Sequence, residues 1–231
     1  MKPLLTAAVL LGATAWPVLA SKSKVLRGRW ITWAGLTAAF AIASIWGNVG
    51  VSLLFGLIGF ICWIEGQELQ GLASWLGFRT RVAVFAYRGL MFGASVLLLM
   101  QTLVTSVDFM LSTVVIVALF DIGGWVGGKV LTRFKPLDKK LFPRISPNKT
   151  WGGLVGSLIL GYAANLWFGQ FGDLSYLAIA AGAVAGDWLE SWIKRIVGVK
   201  DASDWLPGFG GLLDRVDSLL PMGLVLLLVG F

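Results

Sequence analysis

The chain alternates between long apolar runs and short polar segments. A bilayer core of about 30 Å requires about 20 apolar residues per helix, with a range of about 17–25. Runs near that length predict roughly eight transmembrane helices. They cover residues 3–20, 30–47, 49–64, 82–101, 108–128, 151–168, 174–193 and 213–231. Because the connections between these runs are short, the pattern predicts an all-α polytopic integral membrane protein whose helices form one bundle.

The charges between the runs predict an orientation. Lys and Arg collect in four polar segments, whereas the segments between them carry almost none. The basic segments are 22–29, 79–81, 129–149 and 194–200. If eight spans alternate, all four lie on the same side of the membrane. The positive-inside rule therefore places them in the cytoplasm and both termini outside.

The first apolar run has a second interpretation. Leu4–Ala20 resembles a secretory signal that would be cleaved before Ser21. Cleavage would place the basic segment 22–29 outside the cell, against the charge pattern of the other loops. The pattern therefore favours a helix that is retained over one that is cleaved.

Composition narrows the class of protein. The 231 residues are 57% hydrophobic and 13% charged, whereas soluble domains carry about 25% charged residues. This balance excludes a soluble globular protein and a disordered chain. The net charge of +7 is expected of basic cytoplasmic loops and does not indicate nucleic-acid binding.

The residue types that are rare or missing restrict the chemistry. Cys62 is the one cysteine, which excludes an intrachain disulfide and a multi-cysteine metal site. The chain has no histidine, so an imidazole base or a histidine-bound metal is impossible. Any chemistry must use carboxylates, Lys, Arg, hydroxyls and oxygen-bound cations such as Mg²⁺.

Acidic residues are concentrated in the second half of the chain. Nine of the twelve lie between 121 and 217, several within apolar runs where a carboxylate usually marks function. Asp187, Glu190, Ser191 and Lys194 are spaced to share one helix face. A simple Glu190–Lys194 ion pair within the helix is the alternative interpretation.

A second acidic pair follows a glycine-rich loop. Asp214 and Asp217 flank Arg215, after a loop at 207–211 that can turn sharply or bring amides against a phosphate. Two carboxylate pairs without His or Cys predict a hard-oxygen site, suited to Mg²⁺ held with nucleotide phosphates. The complementary positive charge would come from Lys194, Arg195, Lys200 and Arg215.

A third polar element, residues 146–151, directly precedes an apolar run. Lys149 beside a helix N-terminus could bind an anion. A positive-inside anchor with an interfacial Trp151 explains the segment equally well, and both interpretations stay open. The glycines that follow, Gly152, Gly153, Gly156 and Gly161, fit helix packing better than a phosphate loop.

These segments together resemble the phosphatidate cytidylyltransferases, also called CDP-diacylglycerol synthases. The specific signature of that family is matched by Ser191-Trp-Ile-Lys194-Arg195, Lys200-Asp201, Leu206-Pro-Gly-Phe-Gly-Gly211 and Asp214-Arg-Val-Asp217. Two further conserved stretches resemble Ser146-Pro-Asn-Lys-Thr-Trp151 and Asp121-Ile-Gly-Gly-Trp-Val-Gly-Gly-Lys129. The resemblance covers residues 117–231. It implies N-terminal scaffold helices facing lipid over 1–110 and helices carrying the signature over 111–231, in one continuous membrane domain.

The resemblance also implies a reaction. Phosphatidic acid would attack the α-phosphorus of CTP, giving CDP-diacylglycerol and pyrophosphate. Mg²⁺ is the implied cofactor, and whether a second, monovalent cation also takes part stays open. The site would face the cytoplasm from a bacterial inner (plasma) membrane. Membrane lipids are expected partners and nucleic acids are not, and a homodimer is suggested by the resemblance alone.

Roles for individual residues follow from the resemblance. The implied catalytic residues are Asp187, Lys194, Asp214 and Asp217. The implied metal or metal-water ligands are Asp187, Asp214 and Asp217, followed by Asp121 and Glu190. The implied substrate-binding residues are Ser146, Asn148, Lys149, Thr150, Ser191, Arg195, Lys200, Asp201, Gly210, Gly211 and Arg215.

One position departs from the family pattern. The family usually has Pro-Gly-His-Gly-Gly where this chain has Phe209 in place of the histidine. Phenylalanine can neither donate to a phosphate nor ligate a metal. This leaves two alternatives open: CTP-dependent transfer to another lipid phosphate or lipid alcohol, and a non-catalytic relative that binds or transports lipid.

Overall fold

A computed structural model describes residues 2–21, 23–203, 205–206 and 210–230. Within these residues nearly all regular structure is helical. The helices are α1 (Lys2–Leu19), α2 (Lys24–Ile45), α3 (Gly47–Ala73), α4 (Phe78–Val104), α5 (Val107–Val130), α6 (Trp151–Phe168), α7 (Asp173–Val197), α8 (Leu213–Val216) and α9 (Met222–Leu228). Helices α1 to α7 confirm the first seven predicted helical segments, although α2, α3, α4, α5 and α7 are longer than predicted.

The predicted count of about eight spans is not confirmed. In the described part of the chain, three helices are long and apolar enough to cross a membrane: Gly47–Ala73, Phe78–Val104 and Val107–Arg133, the last extending α5 by a 3-10 turn. Helix α7 is long enough, but its second half carries the ionisable groups from Asp187 to Arg195. Such groups raise the free energy of burial in lipid, so they require a polar environment inside the protein.

The predicted span at 213–231 is wrong as a single helix. The chain there forms α8 of four residues and α9 of seven, joined by turns. Pro221 has no amide hydrogen to donate, and the Asp217 carboxylate accepts the amide of Ser218 at 2.9 Å. Both features compete with regular helical hydrogen bonds, so an apolar run of this length does not become one helix.

The described residues are nearly all-α, as predicted, and a small hairpin is the exception among them. Strand β1 (Lys140–Phe142) pairs antiparallel with β2 (Ser146–Thr150), with Lys140 opposite Thr150. The Thr150 hydroxyl then accepts the amide of Gly153 at 3.1 Å and caps α6. The hairpin therefore leads directly into the start of α6.

The loops with little positive charge lie together at one end of the bundle. The Asn48 side-chain amide donates to the Thr105 carbonyl at 2.7 Å, which joins the α2–α3 and α4–α5 connections. The rings of Phe109 and Phe171 lie 5.3 Å apart and bring the α6–α7 connection to the same end. This grouping agrees with the predicted alternation, while the side that faces the cytoplasm stays a prediction.

Helices α5 and α6 approach each other at glycines. A Cβ atom on Gly123 would collide with the carbonyl of Gly156, and one on Gly127 would collide with the carbonyl of Gly152. The helix-packing interpretation of these glycines is therefore confirmed. Gly123 and Gly127 belong to the segment 121–129, and Gly152 directly follows the segment 146–151. The contact between α5 and α6 therefore joins two of the three segments that carry the family resemblance.

We expect Gly127→Ala to lower the free energy of unfolding by about 1–3 kcal/mol, because overpacking forces the two helix backbones apart. Thermal denaturation in detergent measures the change. Gly128→Ala is the matched control, since its Cβ would meet its nearest neighbour at 3.8 Å, an ordinary contact. Alanine favours a helix over glycine, so the control is expected to gain about 0.5–1 kcal/mol. Equal effects of the two substitutions would contradict the close packing.

The N-terminal helices also contact the C-terminal segment. The Gln101 side chain of α4 donates to the Gly223 carbonyl of α9 at 3.0 Å. A Cβ on Gly223 would collide with the Ala94 carbonyl, so α9 packs closely on α4. Helix α4 therefore contacts α9 directly, while the scaffold role of residues 1–110 stays a prediction.

Candidate active site

Acidic side chains from three helices lie at similar depths in the bundle. Glu65 lies 8 residues before the end of α3 at residue 73, Asp121 lies 9 before the end of α5 at 130, and Asp187 lies 10 before the end of α7 at 197. At about 1.5 Å per residue, these positions are about 12–15 Å below the helix ends. The short helix α8 packs against α3, and its first residue, Leu213, donates its amide to Glu65 at 2.7 Å.

A buried lysine joins two of the predicted carboxylates. The Lys194 ammonium lies 2.7 Å from Glu190 and 2.6 Å from Asp214. Both carboxylate side chains are at most 2% exposed. The Glu190–Lys194 pair within the helix therefore exists, but it forms part of a larger set that includes Asp214.

Asp214 is held mainly by the protein itself. One of its oxygens accepts from Lys194, and the other accepts the amide of Gly211 at 2.7 Å. The amide of Ala202 also donates to this carboxylate, at 3.0 Å. A carboxylate with this many protein donors anchors the loop around it, so the predicted role of Asp214 as a metal ligand stays a prediction.

Three carboxylates, Glu190 among them, have the spacing of a metal site. Among the described residues, Asp187, Glu190 and Asp217 place one oxygen each within 4.8 Å of one another. Gly186 makes this possible, because a Cβ there would collide with the Asp217 carbonyl and separate α7 from the following segment. Three ionised carboxylates this close repel one another, and either a proton or a cation between them relieves that repulsion. Hard oxygen donors in this arrangement fit Mg²⁺.

Asp121 lies beside this group of three. Its carboxylate accepts from the Ser218 hydroxyl at 2.7 Å, and Ser218 directly follows Asp217. The structure thus brings Asp121 next to the cluster, but the described residues that meet metal-ligand spacing do not include it. Its predicted ligand role stays a prediction.

The hairpin supplies a cation to the cluster. The Lys149 ammonium of β2 forms an ion pair with Asp187, and the two side chains are 27% and 37% exposed. Arg195 holds the hairpin turn to α7, since its guanidinium donates to the Ile145 carbonyl at 3.2 Å. The third polar element is therefore part of the same site as the two acidic pairs.

The remaining predicted substrate-binding residues surround this centre. Ser146 and Asn148 lie on β2, Ser191 lies on α7 between Asp187 and Lys194, and Arg215 is half-buried on α8. Lys200 and Asp201 are exposed at the start of the loop after α7. Thr150 is buried and its hydroxyl caps α6. Contact of these residues with a substrate stays a prediction.

The two glycines of the signature pack against buried acids. Gly210 has φ +84°, and a Cβ there would lie 2.7 Å from an Asp214 oxygen. A Cβ on Gly211 would lie 2.8 Å from a Glu65 oxygen. Glycine is needed at both positions for backbone conformation or close approach. Phe209 and the two residues before it lie outside the described residues.

Glu65 is a site residue that the sequence analysis missed. It is fully buried and accepts the amides of Leu212 and Leu213 at 2.8 and 2.7 Å and the Ser203 hydroxyl at 3.2 Å. It therefore ties α3 to the loop that carries Gly211 and Asp214. An acid between apolar residues is the signal that could have found it, but the predicted span ended at residue 64 and left Glu65 outside, whereas α3 continues to Ala73.

We expect Glu65→Gln to lower the free energy of unfolding by about 1.5–3 kcal/mol, the contribution of hydrogen bonds to a charged group. The amide that replaces one carboxylate oxygen cannot accept from a backbone N–H. The midpoint of thermal denaturation in detergent measures the loss. Glu68→Gln, on the exposed face of the same helix, is the control and is expected to have the same midpoint as the wild type. A wild-type midpoint for Glu65→Gln would show that this link does not stabilise the fold.

A protein family matches nearly the whole chain, and individual known proteins match about half of it. A family model described as the cytidylyltransferase family matches residues 5–231. A phosphatidate cytidylyltransferase of Brucella suis biovar 1 (strain 1330) is 40% identical over 119 residues, 48% of this chain and 42% of that protein. One from Mycobacterium leprae (strain TN) is 38% identical over 113 residues, 46% of this chain and 35% of that protein. The match therefore spans less than half the length of each relative.

Proposed function

Because the chain belongs to the cytidylyltransferase family, we propose that it transfers CMP from CTP to phosphatidic acid, giving CDP-diacylglycerol and pyrophosphate. The observation that carries the proposal is the group of carboxylates from Asp187, Glu190 and Asp217, which lies beside Lys149 and Lys194. The relatives named phosphatidate cytidylyltransferase support the choice of substrates.

The reaction suits a site without histidine. An oxygen of the lipid phosphate attacks the α-phosphorus of CTP, and the bond from that phosphorus to the pyrophosphate oxygen breaks. The attacking oxygen is already anionic, so no general base is required. The barrier arises from repulsion between anions and from charge that develops on the departing pyrophosphate. Fixed cations at the site lower both contributions.

The three clustered carboxylates would hold Mg²⁺. When bound, the ion would offset the negative charge of the nucleotide phosphates. Asp214 fits a different task in this proposal, because its oxygens accept from Lys194, Gly211 and Ala202. It would hold the glycine loop in place while Lys194 keeps its ammonium beside Glu190.

Lys149 is the cation best placed for the lipid phosphate. Its side chain is partly exposed at the edge of the site, whereas Lys194 is buried beneath it. Binding of a phosphate would draw Lys149 from Asp187 and leave that carboxylate for the metal. Arg195 would keep the hairpin, and with it Lys149, against α7.

We place this site at the cytoplasmic face of a bacterial inner membrane. The basic segments 129–149 and 194–200 adjoin the site, and the positive-inside rule favours the cytoplasm for both. CTP would then reach the site from the cytosol and the lipid from the membrane. The bacterial relatives support this compartment. The proposed homodimer rests on the family resemblance alone.

The direct test is turnover by the purified protein. Radiolabelled CTP, phosphatidic acid in mixed micelles and Mg²⁺ are expected to yield a cytidine-labelled lipid and free pyrophosphate. Chelation of Mg²⁺ by EDTA is expected to abolish the product, and added Mg²⁺ to restore it. Absence of product with several lipid phosphates, from protein that melts cooperatively, would refute the proposal.

Phe209 favours a second candidate function, in which CMP is transferred from CTP to a different lipid phosphate. The family's usual histidine is replaced there by a side chain that cannot donate a hydrogen bond. A site that lacks this donor would recognise the nucleotide or the lipid differently.

Phe209→His separates the two candidates. If the chain is an attenuated phosphatidate cytidylyltransferase, we expect about tenfold or greater gain in kcat/KM, since one hydrogen bond to a charged group contributes about 1.5–3 kcal/mol. Initial rates with phosphatidic acid measure it. A loss of rate would instead show that the pocket is built around the aromatic ring and would favour another acceptor lipid.

A further inference from the structure

An apolar groove runs between α6 and α7 and ends at the candidate active site. It has a volume of about 430 Å³, within the range of about 300–1,000 Å³ that is usual for ligand sites. Its lining is entirely apolar and includes Phe142 of β1, Leu158 of α6, and Leu177, Ala181, Ala185 and Trp188 of α7. We propose that this groove holds an acyl chain of the lipid phosphate substrate. This proposal rests on the proposed function.

The groove has the length of a hydrocarbon chain rather than of a compact ligand. Along α7 its lining extends from Leu177 to Trp188, which is 188 − 177 = 11 residues. At about 1.5 Å per residue this is about 16 Å. Ala181 and Ala185 are exposed in its wall, so the groove stays open where larger side chains would fill it. The apolar lining gives a polar ligand no hydrogen-bond partner along this length.

Charged residues lie beside one end of the groove, although its lining is apolar. Trp188 directly follows Asp187, the partner of Lys149. Phe142 lies on β1, which pairs with the strand that carries Lys149. The same hairpin segment carries Lys140 and Arg144, both exposed. The apolar groove therefore ends next to a cluster of cations and carboxylates.

This combination fits an amphiphile with an anionic head. An acyl chain in the groove would remove apolar surface from water, and its phosphate would lie near Lys149 at the edge of the carboxylate cluster. A second copy of the chain would also cover apolar surface, but it would not require an open channel that leads to the reacting groups. The continuity of the groove with the site therefore favours the lipid substrate as occupant.

Ala181→Trp tests the proposal by blocking the groove midway. Ala181 is exposed, so the larger side chain does not have to displace the core. We expect kcat/KM for dioleoyl phosphatidic acid to fall at least about tenfold more than kcat/KM for the dioctanoyl lipid, whose shorter chains end nearer the site. Ala163→Trp is the matched control, since Ala163 is an exposed alanine of α6 outside the groove lining. Its chain-length preference should equal that of the wild type.

Binding separates failure of the groove from failure of the proposed function. Equilibrium binding of radiolabelled dioleoyl phosphatidic acid is expected to weaken about tenfold in Ala181→Trp, whether or not product forms. Unchanged binding and an unchanged chain-length preference would overturn the groove proposal. Equal losses on both lipids together with a change in oligomeric state would assign the groove to a second copy and also overturn it. If lipid binding depends on Ala181 but the wild type forms no cytidine product, the proposed function is overturned and the groove is still shown to bind the lipid.

Discussion

Asp217→Asn is expected to lower turnover at least about 1,000-fold while leaving the protein folded. The substitution keeps the shape of the side chain but removes one of the three negative charges that lie within 4.8 Å of one another. Loss of electrostatic stabilisation of this kind commonly lowers kcat by about 100- to 1,000-fold, and loss of a metal ligand adds to it. Initial rates of cytidine transfer from CTP to phosphatidic acid measure the effect.

Stability distinguishes a metal-site residue from a merely structural one. Without Mg²⁺, Asp217→Asn is expected to melt at or above the wild-type midpoint, because repulsion within the carboxylate cluster falls. Mg²⁺ is expected to raise the wild-type midpoint and to leave that of the variant almost unchanged, since a ligand stabilises only the state it binds. Asp138→Asn, an exposed acid outside the cluster, should behave as wild type in both measurements. Wild-type rates for Asp217→Asn would refute the metal assignment.

Lys194→Met is expected to lower the free energy of unfolding by about 3–5 kcal/mol. The methionine removes the ammonium that lies between Glu190 and Asp214 and leaves two buried carboxylates unpaired. Turnover is expected to fall as well, because Asp214 then loses one of the donors that hold it against the glycine loop. The midpoint of thermal denaturation in detergent and the rate of transfer are measured on the same preparation.

A double variant tests whether the ion pair causes this loss. Asp214→Asn combined with Lys194→Met removes both charges of one pair, so part of the lost stability should return. Lys24→Met, an exposed lysine at the start of α2, is the control and should change the midpoint little. A wild-type midpoint for Lys194→Met would mean that the buried carboxylates do not depend on this ammonium.

The helices could be predicted from the sequence more completely than the path of the final segment. Apolar runs of sufficient length predicted α1 to α7, since a run of this kind is a local property of the chain. The same rule failed after Leu212, where Pro221 and the Asp217–Ser218 hydrogen bond divide the run into α8 and α9. Hydropathy averages over such residues and therefore does not detect the break.

The candidate site could be predicted as a set of residues but not as a set of contacts. Helical spacing placed Asp187, Glu190 and Lys194 on one face of α7, and the structure keeps them together. Spacing also suggested that Asp214 and Asp217 act alike. Their contacts differ, because Asp217 lies with Asp187 and Glu190 whereas Asp214 accepts from Lys194 and backbone amides.

The sequence by itself determined the class of the protein and the chemistry open to it. Low charge, long apolar runs and the absence of histidine are local or compositional properties, and they limit the chain to a helical membrane protein in which any metal site would use oxygen ligands. Only the tertiary structure decided which carboxylates converge and that Glu65 supports them. Glu65 and Leu212 are 147 residues apart along the chain, yet their atoms lie 2.8 Å apart. Such a distance depends on how α3, α7 and α8 pack, and glycines such as Gly186 and Gly211 allow that approach.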